Sequence, residues 1–300
     1  GRLASDVSLA GSAAAIRAGQ WDAGSLAAAS VASLLLRAPL GGGVLTGDLA
    51  IDLDLTGADA RTGLSLGRLQ VFGAVTDATI TLAGGAGTLS AAQWNGGTLT
   101  AGTVAALTAQ GVFGSALLHG DFTGDLTLTG TDRRGNSLGR LAISGRLAAD
   151  MVLAGGAGAI QAAQWDEGSL QATALSALVL RPSFLNDELD GSLAASIDLS
   201  GTLGRSGLSL GKMQAYGAVN DSNITLAGGA GTLAASQWNG GSLTAETVAS
   251  LAVQGRWNSD TLRGDFSGTL TLTGSHPKTG LSLSRFLATG TVTNPVAGVG

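Results

Sequence analysis

The chain has 300 residues, a net charge of −5, no cysteine, two histidines and 49 glycines. Without cysteine there is no disulfide framework and no thiolate metal site, and with no basic cluster beyond pairs such as Arg133-Arg134 a phosphate-binding, nucleic-acid role is disfavoured. Aromatic residues make up 4% of the chain and charged residues 12%, so neither a thick layered core nor an ordinary ion-studded surface is expected.

The first landmark is QWDAGSL at 20–26, which returns as QWNGGTL at 93–99, QWDEGSL at 164–170 and QWNGGSL at 237–243. Its tryptophans, Trp21, Trp94, Trp165 and Trp238, stand 73, 71 and 73 positions apart. Two flavours alternate, so the period is 144 residues made of two diverged halves of about 72. Residues 63–111 and 207–255 agree at 35 of 49 positions. A period this regular makes stacked units the first expectation. Repeat 1 is expected over 1–144, with halves of about 1–72 and 73–144. Repeat 2 is expected over 145–288, with halves of about 145–216 and 217–288. Residues 289–300 then form a tail or the start of a further coil of one continuous solenoid. GRLASDVSLAG at 1–11 matches GRLAADMVLAG at 145–155, and no signal-like segment precedes it, so the chain is expected to be cut from a longer polypeptide.

Taken in order, AAASVASLLLRA at 27–38 is dense enough in apolar residues to suggest a helix. Its counterpart, TAGTVAALTAQG at 100–111, contains Thr and Gly that weaken a helix, and both segments are therefore read as strands. GDLAIDLDLTG at 47–57 is followed by a polar insert and by SLGRL at 65–69. The same order recurs with GDFTGDLTLTG, TDRRGN and SLGRL over 120–141, and with GDFSGTLTLTG and SHPKTG near the end. The inserts read as surface loops. Ile80 and Leu82 alternate with Thr79 and Thr81, and Leu126 and Leu128 with Thr127 and Thr129, which is strand periodicity. All four prolines, at 39, 182, 277 and 295, fall outside these pulses. The longest apolar runs, such as Val31 to Leu36 and Ala174 to Leu180, are far below the roughly 18 residues of a membrane helix.

Short strands at nine- or ten-residue intervals, with Ala, Leu and Val to fill a thin interior, predict an all-β parallel solenoid, or β-helix. Coils of about 18 to 24 residues would divide each half into three or four. The combination of GDFTGDLTLTG, a polar insert, SLGRLAISG, LAGGAG and QWDEGSL resembles the Gly/Ala/Thr-rich repeat tracts of very large secreted planctomycete-type bacterial proteins. It is more loosely similar to the β-helical stalks of autotransporter and haemagglutinin-type adhesins. The resemblance implies a β-helical protein, extracellular or at the cell surface, and brings no catalytic residue with it.

Chemical motifs are few. GGAG at 84–87, 155–158 and 228–231 has the glycines of a calcium-binding nonapeptide, but Leu89, Ile160 and Leu233 stand where the acidic ligand belongs. These glycines are expected at tight corners with positive φ. Asp52-Leu53-Asp54 and Asp187-Glu188-Leu189-Asp190 are the densest acids, without counterparts in the neighbouring halves. His119 and His276 have unrelated contexts. No catalytic, cofactor-binding or metal residue is expected. The four tryptophans are the candidate lateral or ligand contacts, read first as packed aromatics at turns.

The expected function is a non-enzymatic structural module of an extracellular bacterial filament, stalk or surface layer. It would supply length and stiffness and associate with its own kind through uncharged faces of Thr, Ser, Ala, Asn, Gln and Gly. No cofactor, nucleic-acid partner or membrane insertion is expected. The alternative is an adhesin or carbohydrate-binding β-helix using the tryptophans. An ice-binding solenoid and an antiparallel lipid-groove protein of the AsmA/TamB kind are weaker alternatives, the first because T-x-T pairs do not recur on every coil.

Overall fold

A computed structural model describes residues 1–38, 46–112, 115, 117–183, 188–256, 259–293 and 297–298. Pro39, Asp187 and Pro295 lie outside the described residues. The chain divides into two compact units, Gly1–Gly155 and Gly156–Gly300.

The first unit is a parallel β-solenoid whose coils each pass through three faces. Face A holds Val7–Ser8, Ser25–Ala28, Asp52–Leu55, Thr79–Leu82, Thr98–Ala101, Asp125–Leu128 and the end of Arg146–Leu153. Each strand pairs in parallel with the next in that order. Face B holds Ile16–Ala18, Val31–Leu36, Leu64–Val71, Gly85–Ala91, Val104–Ala109 and Asn136–Ile143, again parallel throughout. The third face, C, is narrow, and includes Arg2–Ala4, Gln20–Ala23, Ala74–Thr76 and Gln93–Asn95.

In the second unit face A comprises the end of Gln164–Ala172, then Ser196–Leu199, Asn223–Leu226, Ser242–Ala245, Thr269–Leu272 and Ala297–Gly298. Face B comprises Gly156–Ala162, Leu175–Leu180, the first part of Leu208–Asn220, the first part of Gly229–Asn239, Val248–Val253 and Phe286–Ala288. The fold class expected from the sequence is therefore observed, and the segment at 27–38 is two strands, not a helix.

The strands form because the side chains alternate. DLDL, TITL, TLTA and DLTL each turn one residue out and the next in, and the inward residues are buried. Parallel register then piles like on like. Leu26, Leu53, Ile80, Leu99, Leu126 and Met151 form one inward column of face A, and Leu34, Leu69, Leu89, Leu107 and Leu141 one of face B. Every member is at most 1% exposed. The interior is thin, and branched aliphatics fill it beneath faces A and B.

Coil length is not uniform. Asn223 and Ser242 are neighbours across one coil of 19 residues, Asp52 and Thr79 across one of 27, and Asp125 and Asp150 across one of 25. The basic turn takes 19 residues, and a longer one carries an excursion at one corner. In unit 1 the excursion alternates between the B–C corner, as entered at 110–112 and left at 117–121, and the A–B corner, as at 131–136. Three coils per half reproduce the 73- and 71-residue tryptophan spacings. The two longer coil lengths exceed the 18 to 24 residues expected, because loops add residues without adding a strand.

Candidate functional site

The QW dipeptide is the natural place to build from. Its tryptophan belongs to a column on face C. In unit 1 the order is Leu3, Trp21, Leu49, Val75, Trp94, Phe122 and Leu147. In unit 2 it is Trp165, Leu193, Val219, Trp238, Phe266 and Val292. Trp21 and Trp165 are 0% exposed, and Trp94 and Trp238 are 1% exposed. Trp21, Trp94, Trp165 and Trp238, the candidate lateral or ligand contacts that the sequence reads first as packed aromatics, are thus buried. Their rings face inward and offer no surface to a ligand, because face C takes one inward side chain per coil and a large apolar ring belongs inside.

The coils compensate for that bulk. Ala18, Ala91, Ala162 and Ala235 stand three residues before the four tryptophans, at the inward end of the same coil's face B strand. The coil that places Val75 on face C ends its face B strand in Val71 instead. In unit 1 the larger residue thus moves from one face of the coil to the other, whereas in unit 2 the corresponding coil pairs Val219 with Ala215. Trp94 meets Phe122 at 5.6 Å between ring centroids, and Trp238 meets Phe266 at 5.7 Å, both tilted. The two flavours differ at the indole N–H. Trp21 Nε1 donates to Ser5 O at 3.2 Å and Trp165 Nε1 to Glu167 O at 3.0 Å. Trp94 Nε1 and Trp238 Nε1 are buried without a partner among the described residues.

The glutamine beside each tryptophan reaches outward to the neighbouring long coil. Gln20, Gln93 and Gln164 use Oε1 to accept the backbone N–H of Thr46, His119 and Asp190, each 26 residues on. Gln237 Oε1 accepts three, from Arg263, Gly264 and Asp265, all at 3.0 Å. These bonds satisfy amides where the B–C excursion rejoins the coil. One coil further on, Asp48, Asp121 and Asp265 repeat the device for Ala74, Arg146 and Thr291. The Asp265 carboxyl is held below its ordinary range, first by the Thr291 N–H and then by the Gln237 amide.

The A–B excursions are tied by a buried serine. Ser65, Ser137 and Ser209 donate to Gly57 O, Gly130 O and Gly201 O at 2.5 Å. They also accept the N–H of Gly84, Gly155 and Gly228 at 2.7 to 2.8 Å. That is why LTG, SLG and LAGG travel together in the sequence. In the first of these loops Asp59 accepts from the Thr62 hydroxyl and amide, and its carboxyl too is held low.

The GGAG glycines do not have positive φ, contrary to expectation; left-handed glycines are instead Gly24, Gly96, Gly97, Gly168, Gly240 and Gly241 after the tryptophans, and others in the loops. GGAG is required by close approach. A Cβ on Gly84 would lie 2.7 Å from Gly63 O, and one on Gly87 would overlap Gly67 O.

The remaining sequence candidates do not converge. Asp52 and Asp54 both point outward from face A, and His276 lies in an exposed loop. His119 supplies a backbone N–H to Gln93. No group of three or more His, Asp or Glu able to hold a metal occurs among the described residues. The T-x-T pairs Thr79/Thr81 and Thr98/Thr100 do stack in register, but the coils on either side present Asp52/Asp54 and Asp125/Thr127. Two hollows of about 450 and 510 Å³ lie beside A–B loops, one bordered by Asp59 and Arg61, the other by Glu246 and His276. What the side chains hold in place throughout is backbone, at corners and loop junctions. Comparison with known proteins finds no matching family model, no matching curated protein and no matching solved structure.

Proposed function

We propose that this chain is a non-catalytic structural module of an extracellular bacterial filament, stalk or surface layer, whose work is stiffness and defined length. The observation that carries the reading is the use made of its recurring side chains. Gln237 binds three backbone amides, Ser65 clamps two glycines and Trp94 fills a coil. Residue types that elsewhere serve chemistry are here committed to holding coils together. Within each unit the main-chain ladders of faces A and B run in one direction, so a pull along the stack loads many hydrogen bonds in parallel.

Self-association belongs to the same reading. The outward positions of the strands are largely Thr, Ser, Ala, Asn and Gln, with few of the lysines that keep exposed sheets apart. Negative-stain electron microscopy, together with sedimentation of the concentrated chain, tests it. Ordered fibres, sheets or bundles are expected, and a species that stays strictly monomeric at high concentration would overturn it.

A further inference from the structure

Few as they are, the charges on the two broad faces are sorted by sign. In unit 1 the face A strands carry Asp52, Asp54, Asp125 and Asp150, all exposed, and no Lys or Arg. Arg146, at the start of the last strand, adjoins Leu147 of face C. The face B strands of that unit carry Arg17, Arg68 and Arg140, all exposed, and no Asp or Glu. Unit 2 repeats the rule. Asp198 is the charged residue of its described face A strands, while Arg181, Lys212 and Arg285 are those on or next to the described face B strands.

The spacing matches as well as the sign. On face A of unit 1, Asp52, Thr79, Thr98 and Asp125 occupy successive coils of one outward column. On face B, Arg68, Thr88, Ala106 and Arg140 do the same. In unit 2, Lys212, Thr232 and Ser250 lead to Arg285, whose carbonyl accepts the Leu251 N–H. Asp52 and Asp125 stand three coils apart on face A, with Asp150 on the coil after Asp125, and on face B Arg68 and Arg140, like Lys212 and Arg285, also stand three coils apart. At roughly 4.8 Å per coil, Asp52 and Asp125 on one face and Arg68 and Arg140 on the other are each separated by about 14 Å.

We infer that face A of one copy docks against face B of a second copy of this chain, the acidic ladder of the first in register with the basic ladder of the second. This deepens the self-association reading and rests on it. A second copy is the partner that brings Arg68 and Arg140, of opposite sign, at the three-coil separation of Asp52 and Asp125. The short Thr, Ser and Ala side chains between the charges allow two flat sheets to approach closely. The contact is head-to-tail in the sense that two different faces meet, so it leaves a free face A and a free face B and propagates sideways. Ladders of one sign on each face also disfavour A-to-A and B-to-B contacts, which sets the order of packing.

Sedimentation velocity on the full 300-residue chain tests the inference. Raising salt from about 20 mM to about 500 mM shortens the reach of exposed charges several-fold and is expected to weaken association about tenfold, the scale of two exposed ion pairs. An acid-face variant, Asp52→Asn, Asp54→Lys and Asp125→Asn, and a base-face variant, Arg68→Glu and Arg140→Glu, should each associate about tenfold more weakly alone. An equimolar mixture of the two should form mixed pairs of near-parental strength, since the base-face variant keeps the acidic face A and the acid-face variant keeps the basic face B. Circular dichroism of each variant checks that the coil is retained, and the milder Arg68→Gln with Arg140→Gln replaces the base-face variant if it is not. Association that ignores salt and both variants overturns the face assignment while leaving self-association intact. A chain that is monomeric under every condition overturns self-association itself. Recovery of assembly only with an added anionic polymer would reassign face B to that partner.

Discussion

The side-chain oxygen of Gln237 accepts the backbone N–H of Gly264 at 3.0 Å, across 27 residues of sequence and one coil of the solenoid. The same oxygen serves Arg263 and Asp265, so one buried amide group closes the end of an excursion. Gln237→Ala should therefore cost about 1–3 kcal/mol, the range for leaving buried donors unpaired. Gln237→Glu keeps the acceptor but sets a carboxylate against Asp265 Oδ2 where Nε2 donates at 3.2 Å, so it should also destabilise at neutral pH and recover as Asp265 is protonated. Gln20→Ala, which frees the more exposed Thr46 amide, should cost least of the three. Chemical denaturation gives the order, and hydrogen exchange at residues 263–265 should rise in the alanine variant alone.

The two tryptophan flavours should respond differently to Phe. Trp165→Phe forfeits the Nε1 bond to Glu167 O, whereas Trp94→Phe removes a buried N–H without a described partner. Trp165→Phe is expected to be the more destabilising by about 1 kcal/mol. Equal thermal shifts for the two variants would contradict this.

Volume exchange within a coil can be checked by grafting. Trp94→Val leaves a cavity worth about 3–5 kcal/mol. Adding Ala91→Val imports the inward pair that Val71 and Val75 form in the preceding coil, and should recover about 1 kcal/mol. Ala91→Val in the presence of Trp94 should instead destabilise, by overpacking.

Glycines separate into two kinds. Gly87→Ala drives a Cβ into Gly67 O and should destabilise by more than about 1 kcal/mol. Gly11 has open space around it and no positive φ, so Gly11→Ala should fall within about 0.5 kcal/mol of the parent. Melting temperatures of the two variants decide.

Acid should loosen the corner at Asp265 before neutral conditions do. Its folded carboxyl titrates below the ordinary 3.8, so the unfolded chain binds more protons in that range. The contribution is full above that value and is lost as pH falls through the folded pKa. The Thr291 amide, 2.6 Å from Asp265 Oδ1, should lose protection over that window. Asp265→Asn should show weaker protection that no longer varies there, read by hydrogen exchange at several pH values.

The sequence alone determined that this chain stacks. Alternation in TITL and DLTL, the 144-residue period and the shortage of aromatics leave few solutions other than a thin parallel coil. It also marked the polar inserts as loops, because Gly, Pro and charge cluster there. What it did not disclose was the third face. Face C is in places a single paired residue, such as Leu49 or Phe122, too short to carry a periodicity.

Without that face the tryptophans had no interior to enter. Only the tertiary structure decides that Trp94 points inward, that Gln93 reaches a loop 26 residues away, and that Gly87 yields to a neighbouring carbonyl. Each depends on which residue of the adjoining coil lies opposite. That register is set by the lengths of the intervening loops, which composition and pattern do not encode. The sorting of acids to face A and bases to face B has the same cause. It comes into view once strands far apart in the chain are laid side by side.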